Sequence, residues 1–532
     1  MPQKRTPRAR SGSSQRPARR SAGASSHSSL PTARPSAARP SAKSRRVGTS
    51  ASSIDAATLR HAGASPKRRT APSEGKALSL PGGHEVLLTR RHFLYGAAGL
   101  ATLAALGGAT AYANSHAKGS DDLNVLTVPE DAVYDSQNLE QVEDVDSVAT
   151  VVTTAKLPYG TLLWSSDDET AVCLLPTETA KPLAQVGILS LDSGTCTTVL
   201  EHAVGEDEGF EIYDVRGNAS GIIWTEADIM DGLWRVYAAK VKGDGLGKKR
   251  LLDEGDVNWE MPTLAVAGKY GFWQRLPQLN GEARVENSLL KRAKFGSSEA
   301  EVVYESQGRM ACAPSSCGDA VVITPRARTS GTYYQLTKID GASGTVTDAC
   351  VLPTSMKPME CSYGPTGFNF AFEAIYNYGD GIANLGTYMP LTPVEAQVSA
   401  PAPEPEDTAE ADGEATIAAS ATQAHSISVD QANAATQAYS DTPWFRYART
   451  PISAPCWCGN WLMIKGSTNM CLVNIDEKKF AALPLEEGAD SYKDFLASSG
   501  MGKRAVTYSS VNHTPINGET EKCCKVRVWE TK

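Results

Sequence analysis

From Leu157 onward, short apolar runs that end in a large side chain and pass into polar residues recur along the chain. The clearest are Leu162-Leu163-Trp164-Ser165, Ile222-Ile223-Trp224-Thr225 and Gly271-Phe272-Trp273-Gln274. Weaker copies are Val321-Val322-Ile323-Thr324, Phe370-Ala371-Phe372-Glu373, Leu462-Met463-Ile464-Lys465 and Val506-Thr507-Tyr508-Ser509. Runs this short, bounded by turn residues, predict strands rather than helices. The large residues stand at 164, 224, 273, 323, 372, 464 and 508, in steps of 60, 49, 50, 49, 92 and 44.

The long step has a visible cause. Pro393 to Asp441 is rich in Ala, Pro, Glu and Thr and contains no Lys or Arg, which predicts a disordered insertion of 49 residues. Without it the step is 43. A period of about 40–50 residues suits one four-stranded blade and not a sandwich domain of ~100 residues. A second strand follows most copies and often closes on an acidic turn: Gly187 to Gly194, Trp234 to Gly245, Tyr334 to Asp340 and Cys471 to Asp476. Alternating apolar and polar residues before such a turn mark a half-buried outer hairpin. This pattern resembles the outer strands of TolB-like and quinoprotein-like propellers, over about residues 157–532. The resemblance implies an all-β fold, a β-propeller whose seven copies make seven blades, with the Trp residues mostly packed between blades. It implies a fold far more than a function. The body is read as 157–392 and 442–532, interrupted by the insertion 393–441.

Charge divides the chain. Met1 to Arg91 carries 19 Lys/Arg against Asp55, Glu74 and Glu85, a net of +16, whereas residues 92–532 carry a net of −24. The overall −8 conceals this. The segment 1–88, poor in large apolar residues until Leu78, predicts a disordered basic tail. It lacks interleaved aromatics, which argues against specific nucleic-acid recognition. Residues 114–156, polar and acidic, read as a spacer.

Between tail and spacer lies Thr89-Arg90-Arg91-His92-Phe93-Leu94-Tyr95, followed by 21 uncharged residues from Phe93 to Ala113. The run resembles a twin-arginine export signal, with Arg90, Arg91, Phe93 and Leu94 at the motif positions and Tyr95 where a Lys is usual. Its length could cross a bilayer, which takes about 20 residues. Ala111 and Ala113 supply the small-x-small pattern that a signal peptidase reads. The resemblance implies the twin-arginine translocase as a partner and an extracytoplasmic, cell-envelope location. The segment 89–113 is either a cleaved signal, giving a secreted protein, or an uncleaved transmembrane anchor through 93–113. An n-region of some 90 residues is abnormal. Either the tail is a real cytoplasmic segment or translation starts near Val86, Leu87 or Leu88 from a non-standard codon; the first internal Met is Met230.

Candidate chemistry is sparse. The body offers His202 and His513, with His425 in the insertion, too few for a His-rich copper or haem site. No His-Glu-x-x-His or Gly-x-Ser-x-Gly motif occurs, so no cofactor or metal is expected and no catalytic residue is assigned. Eleven Cys favour disulfides outside the membrane: Cys312–Cys317, Cys350–Cys361 and Cys173–Cys196 are possible pairs. Cys456, Cys458 and Cys471, or His513 with Cys523 and Cys524, lack the spacing that suits zinc. The clusters Asp167-Asp168-Glu169, Glu206-Asp207-Glu208 and Glu226/Asp228/Asp231 could offer oxygens to calcium but match no calcium loop. Asp228 and Asp231 could also act as an acid/base pair. The expectation is a non-enzymatic envelope module that binds an extracytoplasmic protein or glycan. Its rivals are an exported propeller enzyme (hydrolase, lyase or quinone-type dehydrogenase) and a tethered sensor that keeps its basic tail.

Overall fold

Among the described residues, alternating strands and tight turns build seven sheets of four to six strands. The computed structural model describes residues 76–80, 84–88 and 123–532, apart from 179–181, 328, 330, 375–385, 396–397, 399–426, 450–452, 467–468, 491–492 and 515–517. Residues 1–75 and the export segment, with Arg90, Arg91, Phe93, Leu94, Ala111 and Ala113, lie outside the described residues. Among those described, no helix is long and apolar enough to cross a membrane.

Six sheets each take four antiparallel strands in chain order from one continuous stretch, beginning at Leu162, Glu211, Leu264, Ser315, Met356 and Cys456. The seventh is composite. Its strands Phe495–Leu496, Arg504–His513 and Glu521–Thr531 are completed by Ala149–Leu157 from far upstream, which pairs antiparallel with Glu521–Thr531. Each sheet shares a buried core with the next. Val172 and Val186 of the first sheet pack with Ile222 and Trp224 of the second. Ile223 and Val236 then meet Val266 and Trp273, Phe272 meets Val321 and Ile339, and Leu336 meets Phe370. Phe445 meets Ile464 and Val473, and Met463 meets Trp529. Val506 and Val526 finally return to Leu163 and Cys173 of the first sheet. The order therefore closes on itself, which is the propeller solution to exposed sheet edges.

Six of the seven repeat positions, 224, 273, 323, 372, 464 and 508, fall on the second strand of their sheets, and the accompanying outer strand is the third. The first copy is out of phase. Trp164 lies on the innermost strand, Leu162–Ser165, where it is only half-buried, and the in-phase position is on Thr170–Pro176. The step of 60 is therefore one strand too long. Turn chemistry is as expected at Asp340: its carboxylate accepts from Ser343 N at 2.7 Å, and Gly344, at φ +77°, donates its N–H back to Asp340 O at 2.9 Å.

Three boundaries are corrected. Residues 76–80 and 84–88, placed in the disordered tail, pair as antiparallel strands, Lys76–Leu80 and His84–Leu88; the first sustained apolar run of the chain begins there. The spacer 114–156 is woven into the body from residue 123 on. Leu126 and Val128 are buried, Val133–Asp135 adds to the fifth sheet, Glu140–Gln141 to the sixth, and Ala149–Leu157 closes the seventh. Acidic neighbours hide a β-branched run, Thr150-Val151-Val152-Thr153-Thr154, that suits a strand. The insertion 393–441 ends in a helix, Val429–Ser440, opened by a capping box between Ser428 and Gln431. The helix buries Ala432, Ala435, Thr436 and Tyr439, and Thr436 Oγ1 accepts from Val351 N at 3.0 Å.

Candidate functional site

The carboxylates singled out in the sequence hold loops together. Glu226, fully buried, accepts from Trp224 Nε1 at 2.8 Å, Val204 N at 2.6 Å and Gly205 N at 2.9 Å. Asp228 accepts from Met230 N at 3.0 Å and Asp231 N at 3.3 Å, which shapes one turn and does not aim two acids at a shared bond. Asp167 accepts from Thr170 N at 2.7 Å through one oxygen and from Ala219 N at 2.7 Å through the other, stitching the first sheet to the second. Asp168 accepts from Arg504 N at 2.9 Å across the closing seam. Glu208 pairs with Arg235 at 2.6 Å, and that hydrogen bond lowers its pKa. His202 lies 3.4 Å from Glu206, and His513 lies 4.0 Å from Glu487. Among the described residues these acids do not converge with His or Cys into a metal-holding group.

The expected disulfides are not formed; all eleven Cys are free thiols. Cys173 and Cys196 lie to either side of Gly187, on the second and fourth strands of the first sheet, and the interaction of their thiols raises the pKa of Cys173 and lowers that of Cys196. Two strand spacings amount to about 9–10 Å, beyond the ~7 Å between Cα atoms that a disulfide spans. Burial pushes the Cys312 and Cys317 thiols up to about 12, so both are protonated and unreactive at neutral pH.

A different region stands out. The turn 229–232, the loop 256–261 and the loop 277–286 belong to the second and third sheets and meet at one end of them. A Cβ placed on Gly232 would lie 2.5 Å from Val257 Cγ1. Gln278 N donates to Asn258 O at 2.9 Å, and Trp259 pairs with Pro277. Arg309 ties the base, donating to Pro277 O at 2.7 Å and Glu260 at 2.5 Å, and Arg275 stacks 4.3 Å over the Trp259 ring. On this braced base Met230 is 69% exposed, Val257 62%, Leu279 47% and Val285 78%. Exposed Asp231, Glu254, Asp256, Glu282 and Glu286 lie close to them along the chain, with Arg284 among them. Apolar side chains held out on braced loops and rimmed by charge mark a surface suited to a partner. Sequence reading missed it because isolated apolar residues in turns break no period; the signal was Met230, Val257 and Val285 standing where polar turn residues are the rule.

The sheet order and the closed ring define the protein as an all-β propeller. No protein-family model and no curated protein matches the chain. Among solved structures it is similar to a prolyl endopeptidase, with 12% identity and a TM-score of 0.40 over 72% of this chain and 46% of that one. It is also similar to an oligogalacturonate lyase in complex with manganese (7% identity, TM-score 0.35, 71% of this chain and 92% of that one). A third is TolB from Acinetobacter baumannii (9% identity, TM-score 0.30, 60% and 68%). The chain spans less than half the length of the prolyl endopeptidase, and the activities of these proteins remain theirs.

Proposed function

We propose that the protein is an exported envelope propeller that binds a protein partner through the braced apolar face of its second and third sheets. The observation that carries this reading is the exposure of Met230, Val257, Leu279 and Val285 on loops fixed from beneath by Arg309 and Trp259. The acidic rim selects a partner segment that is itself apolar with a basic border, and steers its approach. Delivery would follow from Arg90 and Arg91 engaging the twin-arginine translocase. Phe93 to Ala113 then either anchors the body or is released after Ala113.

A photo-crosslinking residue placed at Val257 or Val285 of the full chain in its own cells tests the binding face. Both positions should trap the same discrete partner, and Asp244, at the other end of the second sheet, should trap none. Absence of an adduct from both positions would sink the reading. Arg90→Lys together with Arg91→Lys should strand the protein inside; unchanged export would remove the translocase from the account.

A further inference from the structure

The opposite end of the same two sheets holds a pocket of about 230 Å³ lined by Ser220, Lys240, Lys269, Lys294 and Phe295. The strand Gly221–Asp228 starts at this pocket and runs to the apolar face, so the two regions are separate. The pocket has a built frame. Phe295, buried, lies on two glycines: a Cβ on Gly221 would come within 2.3 Å of its ring, and one on Gly271 within 3.3 Å. Phe295 N donates to Lys269 O at 3.0 Å. Asn218 Nδ2 donates to Gly268 O at 2.9 Å while its Oδ1 accepts from Ser220 N at 2.9 Å, which locks the turn bearing Ser220 to the turn bearing Lys269.

Three lysines line this frame from three separate segments: Lys240 from the strand Leu233–Lys242, Lys269 from a turn, and Lys294 from the end of Ser288–Lys294. Lys156, Lys291, Lys357, Lys479 and Lys525 form ion pairs; the three pocket lysines have no such partner among the described residues. In a chain whose residues 92–532 carry a net charge of −24, a cluster of three uncompensated cations around one cavity is the feature to explain. A planar carboxylate is matched best by the fork of an Arg, whereas separated point charges suit an anion whose oxygens point several ways.

We propose that this pocket binds the phosphoryl oxyanion of a phosphate-bearing ligand. The inference stands apart from the partner-binding reading, because it uses other residues at the other end of the sheets.

Calorimetric titration of the purified full chain at low salt tests it, with inorganic phosphate, tripolyphosphate, vesicles of phosphatidylcholine with phosphatidylglycerol, and phosphatidylcholine vesicles alone as probes. Tripolyphosphate or the anionic vesicles should bind, more weakly as salt rises. Lys269→Gln with Lys294→Gln should weaken that binding at least tenfold. Lys479→Gln with Lys503→Gln, the same charge change elsewhere on the surface, should change it less than twofold. Binding of the soluble phosphates identifies a free phosphate ligand; binding of anionic vesicles alone identifies a lipid headgroup. The proposal is overturned if no phosphate probe binds, or if the control pair weakens binding as much as the pocket pair. These exposed positions leave folding intact, which circular dichroism of each variant checks.

Discussion

Truncating Tyr439 separates a loose insertion from a structural helix. Tyr439 is fully buried at the C-terminal end of Val429–Ser440. Its hydroxyl donates to Asp348 Oδ2 at 2.6 Å, beside a second phenol, Tyr363, which donates to the same oxygen at 2.8 Å. Its ring lies 5.5 Å from Phe368 and 6.1 Å from Trp444, whose Nε1 donates to Tyr439 O at 3.0 Å. Burial raises the Asp348 pKa, and the Tyr439 hydrogen bond is the largest influence opposing that rise. Tyr439→Phe removes one hydrogen bond to an acid that keeps Tyr363 and Ala349 N, and should cost about 1.5–3 kcal/mol. Tyr439→Ala also empties the ring site and should cost about 3–5 kcal/mol, the range for a buried aromatic. The assay is urea unfolding of the full chain at matched m-values. In a double-mutant cycle with Asp348→Asn, the Phe variant should show a coupling above ~0.5 kcal/mol. If Tyr439→Ala shifts stability by less than about 0.5 kcal/mol, as an ordinary surface change does, the helix is not part of the core.

Two further outcomes follow from burial and charge. Trp273→Ala, which empties a fully buried seam position and leaves Asp253 without the indole donor at 2.8 Å, should cost about 3–5 kcal/mol in the same urea assay. Trp164→Ala should cost clearly less, because Trp164 is half-buried on the inner strand with Arg216 stacked 4.2 Å over its ring; equal losses would refute the phase correction. Glu521 is held down to about 2 by hydrogen bonds from Lys156, across the strand pair that closes the ring, and from Lys525 on its own strand. Its folded pKa lies below the ordinary 4.5, so its contribution is present above that value and is lost as pH falls toward 2. Glu521→Gln should therefore lower stability at neutral pH and leave a shallower loss between about pH 4.5 and 2; an unchanged acid profile would show that the pairs contribute nothing.

The strand periodicity was legible because each sheet must bury a large side chain against its neighbour, and Trp224, Trp273 and Ile323 do so at nearly constant spacing. Trp164 misled because an aromatic on the inner strand carries the same local pattern. The closing strand Ala149–Leu157 was hidden for a physical reason: as an outermost strand it is half-buried or exposed between its two buried ends and lies beside acids, so it reads as a polar linker. The helix Val429–Ser440 was hidden by composition. Ala, Gln and Thr give it little apolar contrast, and its attachment depends on Tyr439 and Thr436 meeting partners about 90 residues upstream, which no local pattern reveals. Of the chemistry, the acids were visible as clusters, but their hydrogen bonds to turn backbone amides, as at Glu226, depend on the fold. The lysine pocket is assembled from three segments that become neighbours only when the second and third sheets pack together.

The ring closes only because residues 149–157 complete its last sheet. Amide hydrogen exchange of the full chain tests it most directly, by comparing peptides covering 149–157 with those covering 521–531. Eight residue pairs join these strands, from Cys524↔Leu157 to Thr531↔Ala149 with one bulge, so both peptides should exchange slowly and open together. Rapid exchange of 149–157 beside a protected 521–531 would show a free linker, and the ring would not be closed as described.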